Sequence, residues 1–367
     1  MVELRPFRGL RYAAEAGEIG RLVAPPSDSL DAVAREGYAD RSPYNVVRLA
    51  APEGRDDDRS RYIRYARAAA DLNMWRKAGL LMAEPAPAVY RIRQRVGDLA
   101  RTGIVANVRI VELPSLHAAP VHAHDDRLRL LEATRTYFEM PVAVGDVRGV
   151  EELGGGSPVS VRGEDGVETT LEPIYLQEGY QDLTVSGLTL VGGADAWRAA
   201  REFAPEGWAP LAIFPHAGTI LAPLHRIANS GAADFNAFLA RLPAEIRTEE
   251  HHSSRLYDLL QSARREGNEA AAVSFEGGRG YLLTGPNALA AAYLAAGIRD
   301  PGTLRTASDP RLAIRAVDEG AGIAFLSLAP SLERALAGVP VAHRSVVAYP
   351  ALPSGLVMAS LADEVPA

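Results

Sequence analysis

The chain has no cysteine, which excludes disulfides, thiolate metal ligands and thiol nucleophiles; a nucleophile here must be an oxygen or a nitrogen. No stretch approaches the roughly 20 apolar residues that span a bilayer as a helix, so no membrane association is expected. Residues 1–10 alternate charged and apolar letters and lack the continuous apolar core of a secretory signal, which makes the cytoplasm the expected location. A basic excess is missing too. With 39 Lys and Arg against 46 Asp and Glu, the net charge is −7, and nucleic acid is not an expected partner because phosphate tracking needs clustered cations. GxSxG, HExxH, Walker and dinucleotide fingerprints are all absent from the sequence, and no repeat of 20 to 50 residues occurs.

What remains is an ordinary globular composition, 47% hydrophobic and 23% charged over 367 residues, enough for two packed units. The run Gly154-Gly155-Gly156-Ser157-Pro158 is the clearest flexible punctuation, and it divides the expected architecture into an N-terminal α+β subdomain at 1–153 and a closely associated C-terminal α+β subdomain at 154–367. In the first, Ser27 or Asp28 is read as the N-cap of a short helix ending before Pro43, and residues 44–49 as a strand. Apolar spacing of three and four predicts helices over 57–80 and 125–138, while 88–93 and 102–111 read as a strand pair. In the second, strands are expected at 159–162, 168–174, 188–191, 211–214, 271–275, 280–284 and 323–328. Helices are expected at 195–203, 232–242, 254–265 and 288–296. Gly277-Gly278 suits a hairpin turn, and His251-His252 a solvated loop. The irregular order of elements argues for α+β with mixed sheets over a doubly wound repeat.

Five stretches stand out as motif-like: Arg5-Pro6-Phe7-Arg8-Gly9-Leu10-Arg11-Tyr12; Val23-Ala24-Pro25-Pro26-Ser27-Asp28; Pro43-Tyr44-Asn45-Val46-Val47-Arg48-Leu49; Asp126-Arg127-Leu128 in the helix after 125; and Ser345 with Tyr349-Pro350 and Ser354-Gly355-Leu356-Val357. Together they resemble the family known as domain of unknown function 1015, whose members are similar to free-serine kinases. The resemblance implies a fold related to the ParB and free-serine-kinase superfamily, with ATP and magnesium as the implied cofactors; the residues themselves identify none. It also implies a strand-to-helix turn carrying an acid, a glycine and a His-His-Arg run, groups that can cradle a phosphate.

At the corresponding turn this chain reads Val191-Gly192-Gly193-Ala194-Asp195-Ala196-Trp197. Gly193 is kept, the acid is Gly192, the histidines are Ala194 and Asp195, and the arginine is Ala196. Asp195 is expected to cap the helix and Trp197 to pack in the core. Against the same family pattern, Asp28 and His225 are the candidate catalytic residues. Asn45, Gly193, Arg226, Arg344 and Ser345 are the candidate ligand contacts. Arg48 is read as structural, on the opposite side of its strand from Asn45.

The segment His117 to Asp126, with His122, His124, Asp125 and Asp126, has residue types that hold divalent metals, but solvated chain entering a helix is the simpler reading, and no metal site is assigned. These readings converge on a divergent free-serine-kinase-like protein that binds a small anionic or amino-acid ligand with phosphoryl transfer impaired or lost. The alternatives are an active ATP-dependent kinase of serine or a similar hydroxylated metabolite, and a metal-dependent enzyme using the 117–126 segment. A protein partner is a further expectation that the sequence leaves open.

Overall fold

The structure is a computed structural model that describes residues 2–30, 32–60, 62–116, 123–151, 153–175, 183–204, 207–229, 235–301, 304–339, 341 and 345–361. It is a mixed α/β fold. The largest sheet has eight strands, in the order Thr184–Gly192, Val142–Arg148, Trp208–Phe214, Leu99–Arg109, Ala88–Val96, Glu168–Tyr175 and Val159–Arg162, with Leu4–Arg5 also pairing on Leu99–Arg109. All its pairings are antiparallel except that of Trp208–Phe214 with Val142–Arg148. The expected division at residue 154 falls within the span of this sheet, since strands before it pair directly with strands after it.

A second sheet of six antiparallel strands runs in the order Arg247–His252, Arg279–Thr284, Ala270–Phe275, Ala321–Leu326, His225–Asn229 and Arg305–Ala307. Its inner strands read as unbroken apolar runs for a physical reason. Ala271, Val273, Phe275, Ile323 and Phe325 pack with the helix Ala288–Ala295 on one face, while Ala272, Ala324 and Leu326 pack with Leu256–Arg265 and Pro310–Asp318 on the other. Successive side chains of a strand point to opposite faces, so a sheet covered on both sides needs both sets apolar. The expected hairpin turn is present at Gly277 and Gly278, both at positive φ. His251 and His252, expected in a loop, belong to the outermost strand Arg247–His252.

Four short strands, Leu81–Ala83, Gly9–Tyr12, Met358–Ser360 and Thr136–Tyr137, form a third sheet. Here Leu10 pairs with Met358, and nearby an isolated bridge joins Ala24 to Ser354, so residues more than 300 positions apart meet in both places.

The clearest correction concerns residues 44–49. They are not a strand: Val47–Ala50 is a helical turn, and its entry is set by Asn45, whose Oδ1 accepts the Val47 amide at 3.0 Å. An Asn side chain that captures an amide two residues ahead mimics a backbone turn, and it overrides the β preference of Val46 and Val47. Ser27 and Asp28 likewise lie in a 3-10 turn of their own, Ser27–Ser29, ahead of the helix Ala32–Arg41. Among the described residues no helix is long and apolar enough to cross a membrane.

Candidate functional site

The third sheet draws the N-terminal turn and the C-terminal segment together, and a cleft of about 110 Å³ opens beside them. Its lining comes from six places in the chain: the turn at Pro26, Asp28 and Ser29; Arg127 on the helix Ala123–Thr134; the segment from Glu139 to Val142; the turn from Val191 to Ala196; Leu224; and the C-terminal residues Val346, Ala348, Pro350, Leu352 and Ser354.

Gly193 shapes the turn. It sits at φ +68 as the N-cap of the helix Ala194–Phe203, and a Cβ on it would lie 2.8 Å from the Pro141 Cα. Left-handed backbone and close approach both demand glycine there. Gly192 is different, because a Cβ would make only ordinary contact with Val142 at 3.7 Å; packing does not dictate the missing acid. Asp195 was expected to cap the helix, but Gly193 holds the N-cap position and Asp195 lies buried in the first turn, where a carboxylate complements the positive end of the helix dipole. Trp197 is in the core as expected, its Nε1–H donating to the Val111 carbonyl at 2.9 Å.

The charged centre of the cleft is Arg127. Its guanidinium contacts Glu139 at 2.9 Å and Asp28 at 3.1 Å, donates to the Ser27 hydroxyl, and reaches the Ala50 carbonyl at 3.3 Å. Glu139 is itself anchored, accepting the Ser27 amide at 2.6 Å, the Ser27 hydroxyl at 2.8 Å and the Ser354 hydroxyl at 2.9 Å. Burial works against the Arg127 cation, yet the carboxylates of Glu139, Asp28 and Asp195 outweigh it and hold its pKa above the usual arginine value. Among the described lining residues carboxylates outnumber cations three to one.

Of the predicted site residues, the cleft brings together Asp28 and Gly193, and Ser345 adjoins it, its carbonyl accepting the Leu224 amide at 2.8 Å. It does not include Asn45. That side chain is fully buried and spends its amide on the Arg21 and Val23 carbonyls at 2.8 and 3.1 Å, so its role is structural. Arg48 is structural as expected, donating to the Ala39 carbonyl at 2.8 Å.

His225 and Arg226 also lie away from the cleft. Leu224 lines it, and the next residue along extended chain points elsewhere, which buries His225 completely in the second sheet. There its Nδ1 accepts the Ser327 amide at 3.3 Å and its ring stands edge-on to Tyr257. Burial pushes its pKa down to about 4 against a weaker opposing pull from Asp309, so the ring is neutral at pH 7. Arg226 is equally buried and bonds the Tyr293 side chain. Arg344, His117 and His122 lie outside the described residues. Asp126 pairs with Arg64 at 2.5 Å and bonds Tyr65, while Asp125 pairs with Arg129 at 3.4 Å. Among the described residues no group of three or more His, Asp or Glu is arranged to hold a metal ion.

Sequence reasoning missed the Arg127–Glu139 pair. Arg127 was visible in the Asp126-Arg127-Leu128 match but served there only to mark a helix, and Glu139 carries no motif.

The profile of a family described as "Protein of unknown function (DUF1015)" matches residues 4–142. No functionally curated protein matches the sequence. Among solved structures, similar chains include a conserved hypothetical protein from Pyrococcus furiosus (12% identity, TM-score 0.41, covering 68% of this chain and 93% of that one). A free serine kinase in complex with AMP (11%, TM-score 0.39, 69% and 92%) and a mutant free serine kinase in complex with ADP (13%, TM-score 0.41, 69% and 92%) are also similar.

Proposed function

We propose that this chain is a divergent free-serine-kinase-like protein that binds a small ligand of amino-acid type in the cleft at Gly193 and has lost phosphoryl transfer. The observation that carries this reading is the charge balance of the described lining: Asp28, Glu139 and Asp195 against one guanidinium, Arg127, which already contacts two of the three. Phosphoryl transfer asks a protein chiefly for positioned positive charge around the phosphate oxygens. Here the turn that carries His-His-Arg in the resembled family reads Ala194-Asp195-Ala196, so its side chains supply a carboxylate and no cation. Between the two ligand classes expected from the sequence, the acidic field favours one bearing an ammonium group over a simple anion.

His225 and Asp28, the candidate catalytic residues, do not share one cavity, which supports the loss of the chemistry that would need them together. The profile match over the N-terminal part is in keeping with this kinship, while the link to the ParB superfamily rests on sequence resemblance alone. Titration with ATP or ADP plus magnesium, read as a thermal shift, tests the reading. No stabilisation at millimolar nucleotide is expected. A rise in Tm that follows RT ln(1 + [L]/Kd), or phosphate transfer to serine, would restore the kinase.

A further inference from the structure

Among the described residues, the buried apolar side chains form clusters that divide along the chain. Two of them draw every member from residues 227–328. One holds Val273, Phe275, Ala292 and Phe325 on one face of the second sheet, and the other holds Ile227, Leu256, Ala313 and Leu326 on the opposite face. The remaining clusters draw every member from outside that stretch. Strand pairing follows the same line, since the six strands of the second sheet all lie within residues 225–326 and pair among themselves. Clusters that share no residue remove apolar surface from water separately, so they are separate cores.

The chain enters and leaves this stretch at one place. Ile220–Pro223 pairs with Val346–Tyr349, and Leu224 donates its amide to the Ser345 carbonyl at 2.8 Å. Immediately beyond, Arg226 pairs with Phe325, and the Ser327 amide donates to the His225 ring at 3.3 Å. Core membership changes from one residue to the next. Leu328 packs with the second sheet, whereas Ala329 packs against the cluster that holds Val144, Val191 and Val346. On the entering side, Leu224 lines the cleft and His225 begins a strand of the second sheet. Adjacent ends are what let one domain be set into another, because the host chain resumes where it was interrupted, and roughly 100 residues suffice for a core of their own. The cleft is built by the host alone: its lining runs from Pro26 to Leu224 and resumes at Val346.

We infer that residues 225–328 are a domain inserted into the host fold, a cooperative folding unit separate from the one that carries the cleft. This goes beyond the ligand-binding reading and does not depend on it.

The intact chain reports on the two units separately. Its three tryptophans, Trp75, Trp197 and Trp208, all belong to the host. Their fluorescence therefore follows host unfolding, while far-UV circular dichroism follows both units. In urea, the dichroism is expected to fall in two steps, of which one coincides with the fluorescence change. Ile323 and Ile213 are both fully buried, the first in the second sheet and the second in the large one. Ile323→Val should lower the midpoint of the step that fluorescence does not see by about 0.5 M urea and leave the fluorescence midpoint unchanged. Ile213→Val should do the reverse. If the two steps of the parent protein overlap, these substitutions are expected to part them. Phe325→Ala is the harsher variant: should it leave the second sheet unfolded, the fluorescence transition is still expected at its original midpoint.

A single transition in which both probes coincide, and which either valine substitution moves as a whole, would overturn the inference. Loss of the fluorescence transition in Phe325→Ala would do the same.

Discussion

Two arginines hold the same C-terminal stretch, and they do so in opposite electrostatic settings. Arg127, in the open cleft, meets Glu139 and Asp28, and through Glu139 it reaches the Ser354 hydroxyl. Arg101, closed inside the large sheet, meets, among the described residues, neutral acceptors: Gln94 Oε1 at 2.6 and 2.9 Å, Thr219 at 2.9 Å and the Pro350 carbonyl, with its guanidinium 3.7 Å over the Phe214 ring. The consequences diverge. Carboxylates raise the Arg127 pKa, whereas burial lowers that of Arg101 to about 9. Charge paired with charge lines the cleft itself, whereas charge dissolved among neutral dipoles fixes the loop whose Pro350 and Leu352 line it.

The comparison can be broken most directly at its charged end. Arg127→Met should cost about 3 kcal/mol, because Glu139 and, more weakly, the partly exposed Asp28 lose a half-buried counterion; urea unfolding at neutral pH measures it. A loss too small to resolve would mean the cleft carboxylates do not depend on Arg127.

His225 extends the closed side of the comparison to the second sheet. Its pKa falls from 6.5 to about 4 on folding, so the folded chain binds fewer protons than the unfolded one across that window. Stability from this residue is complete above pH 6.5 and drains as pH falls toward 4, by about 3 kcal/mol in all. Unfolding free energies of His225→Phe at pH 7 and pH 4.5 should lose that part of the acid dependence; an unchanged slope would assign it elsewhere.

Arg101→Met should cost less than Arg127→Met, about 1–3 kcal/mol, because it strands neutral acceptors and no charge. Reversal of that order in a side-by-side denaturation series would undo the contrast. The smallest effect is expected of Gly193→Ala, about 1–2 kcal/mol from left-handed backbone and the Pro141 contact. Ligand titration should register it more strongly than unfolding does, since the turn it distorts lines the cleft.

Legibility from sequence followed how local the determining forces are. The hairpin Ala270–Phe275 with Arg279–Thr284 was readable because two glycines separate apolar runs, and Ala194–Phe203 because Asp195 and Ala199, and Trp197 and Ala200, fall four and three positions apart on its buried side. Residues 44–49 were misread because Asn45 works through a bond two residues ahead and two more to Arg21 and Val23, over 20 positions back. Gly193 was found since its motif position and its backbone requirement coincide. Glu139 was invisible: its meaning comes from Ser27, Arg127 and Ser354, three residues that no spacing rule connects to it. For the same reason Asn45 and His225 drew attention that their burial does not justify.

The bond between Ser354 and Glu139, and the isolated bridge joining Ala24 to Ser354, also set a timetable. A chain emerging from the ribosome can pair Ala88–Val96 with Leu99–Arg109 early, since only two residues part them. The cleft wall waits for the residues near 350 to be made, some 330 positions after the turn they meet. Closing so long a loop costs little more entropy than closing one half its length, about 0.6 kcal/mol, so the delay is one of synthesis and not of free energy. A nascent chain therefore cannot close this wall of the cleft until the last part of the chain has been made.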